Sequence, residues 1–287
     1  MNNKVIKVPH ELEVNPYGQD ILKLGGFSVV ETCSFINRNN TGSMFLEDHL
    51  LLFVLHGSCT LRYGDTEYAI GKNEMALLQK SIVVEYQLSS DLTNARPDYM
   101  MFFFKNELLS DFIRMADMSI TRPAISVPIS VATVGDCLLR YIESLRPSFT
   151  SPEKVNDNWV KLKLLELLFD IANEDQQMMR QLLQLNQPVR SNIVTTMEAN
   201  LFNPVSLSDL AYLSGRSLAS FKRDFYAIYN TPPARWLREK RLHKAKEMLA
   251  NSSMSVTSVC FATGFESVAH FSRSFKEYFG TPPSLYK

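Results

Sequence analysis

The chain has 287 residues, 30 basic and 30 acidic side chains and a formal net charge of zero, with 45% of its residues hydrophobic. That length suits two ordinary domains with filled cores. No run approaches the roughly 18 consecutive apolar residues that span a bilayer.

The opening stretch, MNNKVIKVPHELEVNPYGQD, lacks the apolar centre of a signal peptide, so a soluble cytoplasmic protein with no membrane partner is expected. From about residue 20 to 105 the sequence reads as short strands. FSVVETCSFI, HLLLFVLHGSCTLRYG, TEYAIGKNEMALLQK, SIVVEYQL and YMMFFFK are rich in Val, Phe, Tyr and Thr, with turn signals between them. Many short strands without helices imply a β-barrel or sandwich. From about 106 to 185 the apolar spacing changes to three and four, which predicts helices over ELLSDFIRMADM, VATVGDCLLRYIESLR and NDNWVKLKLLELLFDIANEDQQMMRQLLQL. In the last of these, Trp159, Leu162, Leu165 and Phe169 form one apolar face, and Val160, Leu164, Leu167 and Ile171 form another. Two faces are more than one packing surface requires, so this helix is either enclosed by its domain or shared with a second subunit. The polar stretch LNQPVRS, with Pro188, places a boundary between a domain at 1–186 and another at 187–287.

The charge is not evenly spread across that boundary. From Arg190 to Lys287 there are 13 Lys and Arg against 7 Asp and Glu, and the first 189 residues hold the matching acidic excess. A basic C-terminal third predicts a module that binds a polyanion.

Little in the sequence suggests catalysis. Cys33, Cys59, Cys137 and Cys260 are scattered and read as small buried apolar residues. His49 and His56 lie seven apart, on opposite faces of a regular strand, and no His-x-His occurs, so no metal site is expected. There is no Gly-rich phosphate loop, nucleophile elbow or paired-Cys motif. The expectation is a protein with no catalytic residues, no cofactor and no enzymatic activity. Arg62, Tyr63 and Tyr68 are polar strand residues of a kind many strands carry, and they define no pocket.

The C-terminal third contains a repeat. SLSDLAYLSG (Ser206 to Gly215) aligns with SVTSVCFATG (Ser255 to Gly264). After one inserted residue, SLASFKRDFYAIYNTPP (Ser217 to Pro233) aligns with SVAHFSRSFKEYFGTPP (Ser267 to Pro283). Each unit, 206–229 and 255–279, reads as a Ser-capped helix, a turn at Gly, and a second Ser-capped helix ending before Thr-Pro-Pro. That is the layout of a helix-turn-helix, whose second helix can enter a DNA major groove. Phe221, Phe225 and Tyr229, like Phe271, Phe275 and Phe279, recur every four residues and anchor the second helices to a core. Ala219, Ser220, Lys222 and Arg223 then point outward from one, and Val268, Ala269, His270, Ser272 and Arg273 from the other. Helix N-termini at Ser206, Ser217, Ser255 and Ser267 offer backbone N–H groups to phosphates. PARWLREKRLHKAKEMLANS reads as one long helix between the units, and its basic run (Arg235, Arg238, Lys240, Arg241, Lys244, Lys246) suits contact with a DNA backbone or forms a solvated face.

These residues, GFESVAHFSRSFKEYFGTPPSLYK above all, resemble the DNA-binding domain of the AraC/XylS family of bacterial transcription regulators over about 98 residues. The resemblance implies base contacts at Ala219, Lys222 and Arg223 in the first unit and at Val268, Ala269, His270 and Arg273 in the second. It also implies that the strand-rich zone is a cupin-like barrel that senses a small effector, mediates dimerisation, or both. The fold class expected is therefore α+β in two domains: a cupin-like β-barrel with following helices, then an all-α domain with two helix-turn-helix units joined by a long helix. The function implied is a sequence-specific regulator of transcription, an activator by the family's habit, working in the bacterial cytoplasm at the nucleoid. Its partners would be double-stranded DNA, a small effector, a second copy of the chain and RNA polymerase. Two alternatives stay open for the N-terminal domain: a docking platform for a regulatory protein, or a cupin-type enzyme fused to a DNA-binding tail.

Overall fold

The computed structural model describes residues 5–14, 18–24, 27–34, 40–89, 98–116, 127–149, 155–186 and 192–286. The chain divides into two compact units, Ile6–Val189 and a second containing Arg190–Lys287. The stretch around Pro188 that suggested a boundary lies outside the described residues.

In the first unit the strands are β1 (Val5–Val8), β2 (Gly18–Leu24), β3 (Phe27–Ser34), β4 (Asn40–Leu46), β5 (His49–His56), β6 (Ser58–Tyr63), β7 (Thr66–Ile70), β8 (Glu74–Leu78), β9 (Val83–Ser89) and β10 (Asp98–Phe104). After these come α1 (Asn106–Met115), β11 (Ile129–Thr133), α2 (Asp136–Phe149), α3 (Asp157–Glu174) and α4 (Gln176–Asn186). The strands form two sheets, ordered β1-β4-β9-β6-β7 and β11-β8-β5-β10-β3-β2. Alternation along β5 explains the architecture. Leu50 and Leu52 point into an apolar space that Met44, Cys59, Leu61, Tyr86 and Leu88 of the facing sheet also line. Leu51, Phe53 and Leu55 point the other way, into a core shared with Leu109 and Phe112 of α1, Ile142 of α2, Leu164 of α3 and Leu182 of α4. A strand covered on both faces reads as a continuous apolar run, as HLLLFVLH does.

Two expectations from periodicity need correction. Val131–Thr133, read as the start of a helix, belong to β11, which pairs antiparallel with β8 through Val131 opposite Ala76. The helix begins at Asp136. The single long helical run after Asn156 is two helices, because Asp175 is extended and its carboxylate accepts from the N–H groups of Gln177 and Met178 at the start of α4. Of the two apolar faces of α3, Val160, Leu164, Leu167 and Ile171 are fully buried. The other face divides: Leu165 is buried and Phe169 packs on Phe112 with ring centroids 5.0 Å apart, but Leu162 is 66% exposed. Cys59 and Cys260 are buried as expected, whereas Cys137, at the start of α2, is exposed. The side chain of Cys33 lies outside the described residues.

From residue 192 on, the regular elements among the described residues are helices: α5 (Ile193–Ala199), α6 (Leu207–Leu213), α7 (Leu218–Tyr229), α8 (Pro233–Asn251), α9 (Val256–Ala262) and α10 (Val268–Phe279). The repeat in the sequence becomes a repeat in space, α6–α7 and α9–α10 flanking α8. With 19 residues α8 is about 28 Å long. Pro233 fits at its first position, where no N–H is required. No helix among the described residues is long and apolar enough to cross a membrane.

Candidate nucleic-acid interface

The two units are built by the same local rules. Ser206 caps α6, with Asp209 returning a bond to the Ser206 backbone N–H to complete a capping box. Ser217, Ser255 and Ser267 cap α7, α9 and α10, their hydroxyls accepting from the N–H of Ser220, Ser258 and His270. Each cap takes the N–H three residues on, so only the first two N–H groups of a helix remain for a phosphate. At Ser206 even that is disfavoured: its hydroxyl lies 2.6 Å from the Asp209 carboxylate, a negative group where an anion would have to sit.

Between the helices of each pair the chain turns at a glycine with positive φ, 64° at Gly215 and 80° at Gly264. Gly264 is also tightly enclosed, since a Cβ there would lie 2.7 Å from the Phe202 carbonyl oxygen. The second helices are then fixed by their aromatic ridges. Phe221, Phe225, Phe271 and Phe275 are fully buried. Phe225 meets Tyr229 at 4.5 Å and Trp236 at 5.8 Å, while Phe275 meets Phe279 at 4.7 Å and Tyr286 at 5.3 Å, between ring centroids. At their far ends Asn230 and Gly280 adopt the left-handed conformation that stops a helix, ahead of each Thr-Pro-Pro.

This anchoring leaves one polar face outward on α7 and another on α10. Ala219, Lys222 and Arg223 are exposed on α7, with Ser220 partly covered, and Ser206 and Ser217 are exposed at the helix starts. On α10, Ala269, His270 and Arg273 are exposed, as are Ser255 and Ser267, while Ser272 is partly covered. Val268 differs from the outward reading, because it is half-buried and packs on the core around Phe271. Lys222 and Arg273 have no side-chain hydrogen bond or ion pair to the protein among the described residues. His270 is loosely engaged, its Nε2 lying 3.4 Å from Ser274 Oγ.

The long helix departs most from the sequence reading. Arg241 does not face solvent: its guanidinium donates to the carbonyls of Leu201, Gly264 and Asn203. Burial pushes its pKa down to about 10, so it stays charged at neutral pH. Arg235 pairs with Glu239 and Lys244 with Glu247. Lys240 lies over the Trp236 ring, and Lys246 over Phe279 and Tyr286. Arg241 and Lys246 thus reach other elements of the module, Arg235, Lys240 and Lys244 find partners within α8, and Arg238 has no such partner among the described residues.

The chain carries two family matches along its length: an ExsA N-terminal regulatory domain over residues 49–183 and a helix-turn-helix domain over residues 210–287. The transcriptional activator AarP of Providencia stuartii is 32% identical over 104 residues, which cover 77% of AarP and 36% of this chain. The chain belongs to the AraC/XylS family of transcription regulators. Two further relatives come from Pseudomonas aeruginosa. The transcriptional regulator GbdR is 38% identical over 105 residues, 37% of this chain and 29% of GbdR. The regulator ExsA is 31% identical over 125 residues, 44% of this chain and 45% of ExsA. The chain therefore spans less than half the length of these two.

Within this AraC/XylS-family chain the sequence missed two supports of the C-terminal module. One is α5, capped by Asn192. The other is the structural role of Arg241, for which the only signal was an arginine at a position that the α8 periodicity turns toward Leu242 and Ala245. In the N-terminal unit, the exposed Arg62 pairs with Glu85 across neighbouring strands, and neither it nor Tyr63 or Tyr68 lines the space between the sheets. No group of three or more His, Cys, Asp or Glu with metal-ligand geometry occurs among the described residues.

Proposed function

We propose that this protein is a sequence-specific regulator of transcription that places α7 and α10 in successive major-groove segments on one face of double-stranded DNA. The observation that carries this reading is the duplicated arrangement itself: two helices of matched layout, each pinned by buried phenylalanines, each turning exposed Arg and small residues outward. Lys222, Arg223, His270 and Arg273 are the polar readers. Ala219, Ala269 and Ser220 allow close approach to base edges, and Ser272 and Val268 border the second contact. Ser217, Ser255 and Ser267 mark helix ends that meet phosphates, and Ser206 contributes least. The protein acts in the bacterial cytoplasm at the nucleoid. An activating role is supported by the similarity to the transcriptional activator AarP, and such a role would make RNA polymerase a partner. No enzymatic step is required of it.

The N-terminal unit is read as the cupin-like regulatory part, a role supported by its match to an N-terminal regulatory domain. The apolar space between its sheets is only about 40 Å³, lined by residues such as Leu50, Leu61, Tyr99 and Met101. An apolar cavity known to bind benzene measures about 150 Å³. That favours input through contact, from a second copy or a regulatory protein, over a small effector held in the resting structure.

Titrating the full-length chain into labelled duplex DNA over a range of salt tests the DNA reading. Affinity should fall steeply with salt, and Lys222→Ala should flatten the log–log slope by about one unit. Binding that ignores salt, or is unchanged by Lys222→Ala and Arg273→Ala together, contradicts it.

A further inference from the structure

Arg223 and Arg273 occupy matching positions in the two repeats, yet their surroundings differ. The residue after Arg223 is Asp224, and the residue after Arg273 is Ser274. Arg223 is 75% exposed, but its guanidinium is not loose: Nε and Nη2 both donate to Asp224 Oδ1, at 3.2 and 3.0 Å, and Nη2 also donates to Ser220 Oγ at 3.2 Å. Asp224 is itself held. Arg216, only 13% exposed, reaches Asp224 Oδ2 from the turn at 3.3 Å while its Nη1 donates to the Ser214 carbonyl at 2.6 Å. Ser220 Oγ donates to the same Oδ2 at 3.4 Å.

A guanidinium has two edges that can each donate a pair of hydrogen bonds. Asp224 occupies the side edge, formed by Nε and Nη2. That leaves the end, Nη1 with the second hydrogen of Nη2, for an outside acceptor pair. Ser220 Oγ stands where one of those acceptors would bind, and a hydroxyl rotates aside easily. The acceptor pair that fits an arginine end in the major groove is O6 and N7 of guanine. Holding the fork in advance removes rotamer freedom that would otherwise be lost on binding. The Arg223 guanidinium holds the Asp224 carboxyl below the usual carboxylate range, so the pair persists throughout neutral pH.

We propose that Asp224 is a positioning residue that fixes Arg223 to read one guanine, making α7 the more selective of the two recognition helices. This rests on the reading that α7 faces DNA. It adds that the two repeats divide the work: α7 reads a base through a buttressed arginine, and α10 uses an unbuttressed Arg273 that adapts to its site.

The test measures affinities of the full-length protein for duplexes carrying each of the four base pairs, position by position, at the sites met by α7 and α10. Wild type, Asp224→Asn, Arg223→Ala and the double variant are compared, with thermal unfolding as the control for folding. Wild type should favour one G·C pair in the α7 site by about fivefold or more. Arg223→Ala should abolish that preference. Asp224→Asn should lose most of it while binding unrelated duplex more tightly, because a negative charge near phosphate is gone. In the Arg223→Ala background, Asp224→Asn should alter no base preference, and preferences at the α10 site should hold throughout. Full discrimination by Asp224→Asn overturns the proposal. So does an equal loss at both sites, which would mark a purely structural role. A wild-type protein that discriminates at no base pair overturns the DNA reading itself, and this proposal with it.

Discussion

His49 shows how far one residue's chemistry depends on where the chain places it. In the sequence it opens a strand like any other; in the structure it is fully buried, and its Nδ1 accepts from the Lys80 backbone N–H at 3.0 Å. Burial, reinforced by the charge of Lys80 and opposed by the Asn106 side chain, pushes its pKa down to about 3 from an ordinary value near 6.5. Between those values the unfolded chain binds a proton that the folded chain refuses, so stability is lost as pH falls below about 6.5. One such proton is worth about 1.4 kcal/mol per pH unit. Glu47 and Asp48, whose carboxyls burial pushes up, act in the opposite direction, so the difference between variants is the readout. His49→Asn keeps an acceptor for Lys80 and cannot titrate. Urea unfolding followed by Trp159 in a Trp236→Phe background should then show a flatter pH dependence from pH 6 to 4.5, by up to that amount per unit. Equal slopes would mean that His49 is already charged in the fold.

Among the elements, those with a strong period were legible in the sequence and those held by distant partners were not. Phe271, Phe275 and Phe279 recur every fourth residue, so α10 and its inward face followed directly, as did α7 and the two glycine turns. β11 was hidden because Val131 to Thr133 sit in a short stretch that both a strand and a helix tolerate; pairing with β8 decides it, and that partner is more than 50 residues away. The division of α3 from α4 depended on one aspartate bonding forward rather than continuing a helix. Arg241 was misread for a related reason: a basic residue in a basic run gives no hint that three carbonyls from two separate loops converge on it. By joining α8 to the α5–α6 connection and to the turn at Gly264, this side chain sets where α10 begins. Lysine cannot match its planar fork. Arg241→Lys should cost the C-terminal unit about 2 kcal/mol or more, since hydrogen bonds from a charged donor contribute about 1.5–3 kcal/mol each. Denaturation followed by Trp236 in a Trp159→Phe background measures it. A loss below about 0.5 kcal/mol would place Arg241 back among the solvated charges.

For the whole molecule, the uneven charge gains a structural meaning. Along α8, Arg241 is part-buried and Arg235 and Lys244 pair with glutamates, whereas Lys222, Arg238, Arg273 and Lys276 are exposed without an ion pair among the described residues. In the proposed function two helices, α7 and α10, read DNA together. Selection of binding sites from random duplexes by the full-length protein, beside a Lys222→Ala, Arg273→Ala double variant, tests it most directly. Two enriched boxes about ten base pairs apart, both lost in the variant, are the predicted result; no enrichment by wild type, or the same boxes enriched by the variant, would contradict it.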